Sequence, residues 1–243
     1  MSRIVCWFSC GAASAVATKI ALSESKGKEI IIAYTEVAEE HPDNKRFLAD
    51  CEEWFGQKIE ILGNDKYKRS IYGVFEKSFI RTPKGASCTR ELKKRVRQRF
   101  EKPTDRQVFA YTAEEQTRLD RFIDANNDVD IWTPLIDKGL GKEDCLAMLK
   151  NANIELPAMY KLGYHNNNCI VCVKGGMGYW NKIKIDFPEH FDRMAKLERF
   201  KKQTVFKDRY LDELKPTDGN YPKEPNIECS IFCHMAEEDL KNE

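Results

Sequence analysis

The sequence holds no apolar run near the roughly 18 residues that a membrane span needs, so a membrane-spanning protein is not expected. It also has almost no net charge. Forty lysines and arginines face 39 aspartates and glutamates, which leaves +1. Bulk electrostatics therefore favours no polyanionic partner, and only a local patch can. There is no G-x-x-x-x-G-K-[S/T], which excludes a Walker-type phosphate loop, and no G-x-G-x-x-G, which leaves a dinucleotide fingerprint unsupported. Histidine is scarce, with four in the chain; His41 and His165 lie near turns, and neither is assigned a catalytic role. Internal repeats and low-complexity tracts are missing. The opening segment MSRIVCWFSCG has too short an apolar stretch for a signal peptide and no small-residue cleavage pattern, so a cytoplasmic protein is expected.

What is present is a chain of 243 residues, 42% of them hydrophobic, enough for one α/β domain with a sizeable core or a domain with a short appendage. Nine cysteines stand out. Their number is odd, and they do not form the dense framework of a small secreted domain. In a reducing compartment such residues are buried apolar groups, metal ligands or reactive thiols.

Strands alternate with helices through the first half. Residues 3–9 (RIVCWFS) read as a buried strand, 29–37 (EIIIAYTEV) as a second, β-branched and too continuously apolar for a surface strand, and 58–62 (KIEIL) as a third. Residues 106–112 (RQVFAYT) and 130–135 (DIWTPL) add a fourth and a fifth. Helices are expected over 13–26, 43–56 and, very basic, 88–102. This alternation predicts an α/β fold with a doubly wound, mostly parallel, five-stranded sheet. The texture changes after Pro134. The expected organisation is a core over 1–135, a helical, cysteine-containing extension of the same domain over 136–215, and a proline-rich tail over 216–243.

The stretch FSCGAAS lies where a strand gives way to a helix, and in open parallel sheets that edge receives ligands. Gly11 permits close backbone approach, Ala12 and Ala13 add no bulk, and the hydroxyls of Ser9 and Ser14 can donate to phosphate oxygens. Small residues at such a turn also serve plain packing, so the loop alone decides nothing.

Five segments in order carry a resemblance. Ser9-Cys10-Gly11-Ala12-Ala13-Ser14 is similar to the S-x-G-x-x-[A/S] loop of sulfonucleotide reductases, a degraded form of SGGxDS. YTEVAEEHPD (34–43) falls at the family's acidic and proline segment, and CTRELKK (88–94) resembles its Cys-Thr-x-x-Leu-Lys block. YTAEEQTRLDR (111–121) stands where G-x-R-x-x-E-S-x-x-R is found, and LPAMYKLGYHNNNCIVC (156–172) matches the run from Pro-x-x-Tyr-x-x-Gly to Gly-Cys-x-x-Cys. Over about residues 3–180 the chain thus resembles the phosphoadenosine-phosphosulfate (PAPS) reductase family of the adenine nucleotide α-hydrolase, or PP-loop ATP pyrophosphatase, superfamily. The resemblance implies a Rossmann-like sheet of that type and an adenine nucleotide as substrate, held by Ser9, Gly11, Ala12 and Ser14. It also raises Lys93 and Arg118 above the other basic residues as phosphate-binding groups.

Cys169 and Cys172 form Cys-x-x-Cys in a loop bounded by turn residues, a geometry in which two thiolates can face one metal or cluster. Cys88 is the best third donor, since a helix N-terminus and Arg90, Lys93 and Lys94 would lower its thiol pKa. Cys233 or Cys229 can complete the set, with His234 a weaker option. Zinc suits this spacing too, while the resemblance favours a [4Fe–4S] cluster. Glu228-Cys229 is similar to the start of the reductases' terminal Glu-Cys-Gly-x-His, which would make Cys229 a nucleophile attacking the sulfonate; Ser230 replaces the glycine and His234 is displaced. The remaining cysteines, Cys6, Cys10, Cys51 and Cys145, read as packing residues.

Where ATP-cleaving relatives have an acid in the loop, position 13 is alanine, so Mg²⁺ is expected only if ATP is cleaved, with Glu36 or Asp43 as substitutes. Three functions follow. The first is a reductase converting adenylyl sulfate to sulfite with a thioredoxin-type reductant. The second is an ATP-dependent sulfur-insertion enzyme meeting DNA or tRNA through the basic helix 88–102. The third is a non-catalytic nucleotide- or metal-binding module.

Overall fold

A computed structural model of the chain describes residues 3–81 and 85–227. In chain order its elements begin with β1 (Ile4–Phe8), α1 (Ala12–Glu24), β2 (Ile30–Thr35), α2 (Asn44–Phe55), β3 (Ile59–Leu62) and α3 (Ile71–Lys77). A π-helix (Thr89–Lys94) follows, then α4 (Arg95–Phe100), β4 (Arg106–Val108), α5 (Gln116–Ala125) and β5 (Asp130–Trp132). The last are α6 (Pro134–Asp137), α7 (Lys142–Asn151), α8 (Ala158–Lys161), α9 (Met177–Asp186) and α10 (Pro188–Lys201). They form two compact units. Residues 1–36, 42–63 and 96–167 make the first, and residues 37–41, 64–95 and 168–243 the second.

The first unit is α/β. Its five strands lie in the order β3-β2-β1-β4-β5, and every neighbouring pair is parallel. That is a Rossmann-like sheet, parallel throughout. All five residues of β1 are buried, as a strand covered on both faces requires. The two later strands are shorter than the sequence suggests. Regular pairing in β4 stops at Val108, and Pro134, which suits the first turn of a helix, opens α6 directly after β5.

Phe8 sits at the centre of the core, with the Phe47 ring stacked 6.1 Å away and the Phe55 ring edge-on at 5.9 Å. Cys6, Cys51 and Cys145 are fully buried in the same cluster. Burial pushes the Cys6 and Cys51 thiols far up, and that of Cys145 to about 12, which leaves all three unreactive at neutral pH. At the end of α2, Gly56 takes the left-handed conformation (φ 70°) and returns its N–H to the carbonyls of Glu52 and Glu53. Glycine does this without a Cβ clash, and the helix stops there.

The second unit is helical. Ser70 caps α3 by accepting the Gly73 N–H at 3.2 Å, and the buried Glu39 carboxylate accepts the Ile71 N–H at 2.6 Å. The segment expected as one basic helix opens instead as a π-helix, in which the Arg95 N–H reaches the Arg90 carbonyl five residues back. Arg90 (3.2 Å) and Arg95 (3.1 Å) both pair with Glu91 in this segment. In α10, Glu198 is fully buried; it accepts the Leu211 N–H at 2.7 Å and the Val205 N–H as well. Desolvation raises its pKa to about 7. Glu224 closes the N-terminus of α9, accepting from Gly178 at 2.6 Å and Tyr179 at 3.0 Å. A side chain at Gly219, whose φ is +76°, would meet the Gly178 nitrogen at 2.1 Å, so that position needs glycine. Among the described residues no helix is long and apolar enough to cross a membrane.

Candidate functional site

In the first unit β1 is the strand at which the winding of the sheet reverses, with β2 on one side and β4 on the other. Ligands of open parallel sheets collect outside the carboxyl ends at such a point. The turn 9–14 leaves β1 there and runs into α1. Cys10 makes the turn possible by taking φ 57°, a conformation L-residues rarely adopt, while its side chain stays fully buried. Observed strain of this kind clusters where function requires a shape.

Ser14 organises the turn. Its Oγ lies 3.1 Å from the Ser9 nitrogen, 3.1 Å from Ser9 Oγ and 3.3 Å from the Gly11 nitrogen. It donates in turn to the Gly11 carbonyl at 2.9 Å. The sequence expectation thus finds Ser9, Gly11, Ala12 and Ser14 in one hydrogen-bonded turn. None of them carries a titratable group, and what the turn offers an anion is backbone N–H, hydroxyl and the positive end of a 13-residue helix. A Cβ at Gly11 would find no atom closer than 3.5 Å, so the protein alone does not need glycine there, and the space is left for something else.

Two residues distant in sequence, Asn167 and Tyr160, complete the turn. Asn167 donates from Nδ2 to the Cys10 carbonyl at 2.7 Å and to Asn44 Oδ1 at 2.8 Å. The Tyr160 hydroxyl accepts the Ala12 N–H at 3.4 Å and the backbone N–H of Asn167. Asp43 and Arg46 hold that side in place. Arg46 forks onto Asp43 at 2.8 Å and reaches the Leu156 carbonyl, while Asp43 caps α8 at the Ala158 N–H. At the end of β2, Thr35 is 4% exposed, and its Oγ1 has no hydrogen-bond partner among the described residues. Arg118 lies on α5, paired with Glu115 and 5.2 Å over the Tyr111 ring.

In the second unit the buried Cys169 and Cys172 bracket a turn that also buries Ile170 and Val171. Tyr179 of α9 pins it by donating to the carbonyls of Cys169 (2.9 Å) and Ile170 (3.0 Å). The Ile170 N–H donates to the Glu39 carbonyl. Glu40 Oε1 then stands 3.9 Å from Cys169 Sγ and 3.9 Å from Lys93 Nζ. Lys93, expected as a phosphate ligand, and Cys169, expected as a metal ligand, therefore meet at one carboxylate. Cys88, half-buried, immediately precedes the π-helix.

Among the described residues no three His, Cys, Asp or Glu side chains are grouped so that they can hold a metal ion. Cys88, Cys169 and Cys172 by themselves do not fit a cluster or zinc site, and Cys229 and Cys233 lie outside the described residues. No family model matches the sequence, and no curated protein matches it.

Proposed function

We propose that the protein is an enzyme of PAPS reductase type that binds an adenine nucleotide or adenylyl sulfate at the 9–14 turn and performs thiol chemistry on it. The reading is carried by that turn: a Ser-x-Gly-x-x-Ser sequence, hydrogen-bonded through Ser14, at the carboxyl end of the central strand where the winding reverses. The adenine nucleotide α-hydrolase form of the Rossmann-like sheet belongs to the same proposal. A backbone cradle with alanine at position 13 holds phosphate and supplies no acid for a metal-assisted attack on it. In the proposed reaction the Cys229 thiolate attacks the sulfur of adenylyl sulfate. The S–O bond to phosphate breaks, AMP leaves with the electron pair, and a Cys–S–SO₃⁻ adduct remains. A dithiol donor of thioredoxin type then attacks the adduct's cysteine sulfur, releases sulfite and is oxidised to a disulfide as the enzyme thiol is restored.

The sulfur-insertion reading draws less support. It rests on the basic segment, where Arg90 and Arg95 pair with Glu91, Arg97 with Glu101, and Lys94 is 1% exposed. The test is calorimetric titration with AMP, ATP, adenylyl sulfate and PAPS, followed by a sulfite-release assay with a dithiol donor and metal analysis of anaerobically purified protein. Binding to wild type, and binding without turnover in Cys229→Ser, is the expected result. Failure of every adenine nucleotide to bind overturns the proposal.

A further inference from the structure

The N-terminus of α1 carries one group that the cradle does not require. The Tyr160 oxygen accepts two backbone N–H groups, from Ala12 at 3.4 Å and from Asn167. Its own hydrogen has no acceptor among the described residues. Burial raises the phenol's pKa, so that hydrogen stays in place at neutral pH. The hydroxyl also stands 3.5 Å from where a Gly11 Cβ would be, directly over the peptide that a bound anion must approach. A desolvated donor with nothing to donate to is unfavourable, and the same end of the sheet carries a second polar atom without a partner. Thr35 follows Tyr34, which pairs with Phe8, so it stands at the same carboxyl edge of the sheet as Ser9, and its buried Oγ1 has no partner among the described residues. Asn167 adds a third, since its Oδ1 is buried and has no partner among the described residues. Two incomplete polar groups at the turn, with a third at the sheet edge it leaves, point to a ligand that completes them.

We propose that Tyr160 is a direct anion-binding residue, donating its phenolic hydrogen to a phosphoryl or sulfuryl oxygen of the ligand held at the α1 N-terminus. This rests on the nucleotide reading above and adds to it a side-chain donor in a site otherwise built from backbone and serine hydroxyls. The donor comes from a segment about 150 residues away in sequence. The Asn167 and Ala12 N–H groups both go to the phenol oxygen, which leaves its hydrogen for the ligand.

The test compares wild type with Tyr160→Phe, which keeps the ring, in titrations with AMP, inorganic pyrophosphate and adenosine. Expected is a loss of about tenfold or more for AMP and pyrophosphate, the range for a hydrogen bond to a charged group, with adenosine unaffected. A second measurement needs no deletion: 3-fluorotyrosine at position 160 gives a ¹⁹F resonance that should shift on addition of pyrophosphate. Equal affinities of the two proteins for AMP, or a resonance that does not move, overturn the proposal. So does an equal loss for adenosine and AMP, which would make Tyr160 a structural buttress. If wild type binds none of the three probes, the nucleotide reading falls and this inference with it; if wild type binds and Tyr160→Phe binds equally well, only the inference falls.

Discussion

The 9–14 turn and the Cys169–Cys172 turn are built in opposite ways. The first is built from backbone N–H groups and serine hydroxyls, keeps its one titratable side chain, Cys10, fully buried, and is rigidified by Ser14 and by Asn167 at 2.7 Å from the Cys10 carbonyl. The second is made of ionisable side chains: a thiol and an ammonium stand 3.9 Å either side of the Glu40 carboxylate. A site of the first kind recognises charge without exchanging protons. A site of the second kind tunes the reactivity of a sulfur. Backbone polarity and ionisable side chains are thus concentrated in different units of the chain.

Gly11→Ala is the sharpest way to break this contrast. The added methyl group meets nothing closer than 3.5 Å in the protein, so the unfolding midpoint should move little while affinity for AMP falls by about tenfold or more, a change of about 1.4 kcal/mol or greater. Calorimetry and thermal melts read the two quantities separately, and an unchanged affinity would remove the backbone cradle from the ligand site.

The opposite test falls on Glu40→Gln. Loss of the carboxylate removes a negative charge beside Cys169 and leaves the Lys93 ammonium, which favours the thiolate. Alkylation of Cys169 followed by mass spectrometry should then quicken several-fold at neutral pH, and Lys93→Met should slow it. Equal rates in all three proteins would mean that this carboxylate does not govern the thiol.

Glu198 separates stability from the site. Its folded pKa, raised to about 7 from an ordinary 4.5, means that the folded state holds a proton the unfolded state has already released. Stability from this group is present in full below about pH 4.5 and is lost as pH rises through about 7. Between those values the melting temperature of Glu198→Gln should vary less steeply with pH than that of wild type. The smallest effect is expected for Thr35→Val, which removes a buried hydroxyl without a partner among the described residues. The ligand-free protein should gain up to about 1 kcal/mol in denaturant unfolding, and nucleotide affinity should fall.

The backbone-built half was the more legible in sequence. Continuous apolar runs give β1 and β2 nearly to the residue, because parallel strands buried on both faces leave no other use for such runs, and the edge strand β3, with Glu60 and Ile61 exposed, is placed as closely. The 9–14 turn reads from adjacent residues, since strand, small residues and helix are all local. The side-chain half depends on pairing at a distance. Glu40 reads as a spare acid after a strand, yet it meets Cys169 129 positions later. Tyr160 and Asn167 carry no periodic or spacing signal that would aim them at Cys10 and Ala12. The single basic helix expected over 88–102 opens as a π-helix, a widened turn that helical propensity does not foresee.

The contact between Asn167 and Cys10 also sets an order of manufacture. The side chain that clamps the turn is made 157 residues after it. At ordinary translation speeds of about 5–20 residues per second, roughly 8–30 s separate the two. For that interval the nascent turn lacks its clamp and Cys10 has nothing from that side to hold its left-handed conformation. The turn is therefore completed long after it is made, and a ribosome stalled before residue 167 would carry it without its clamp.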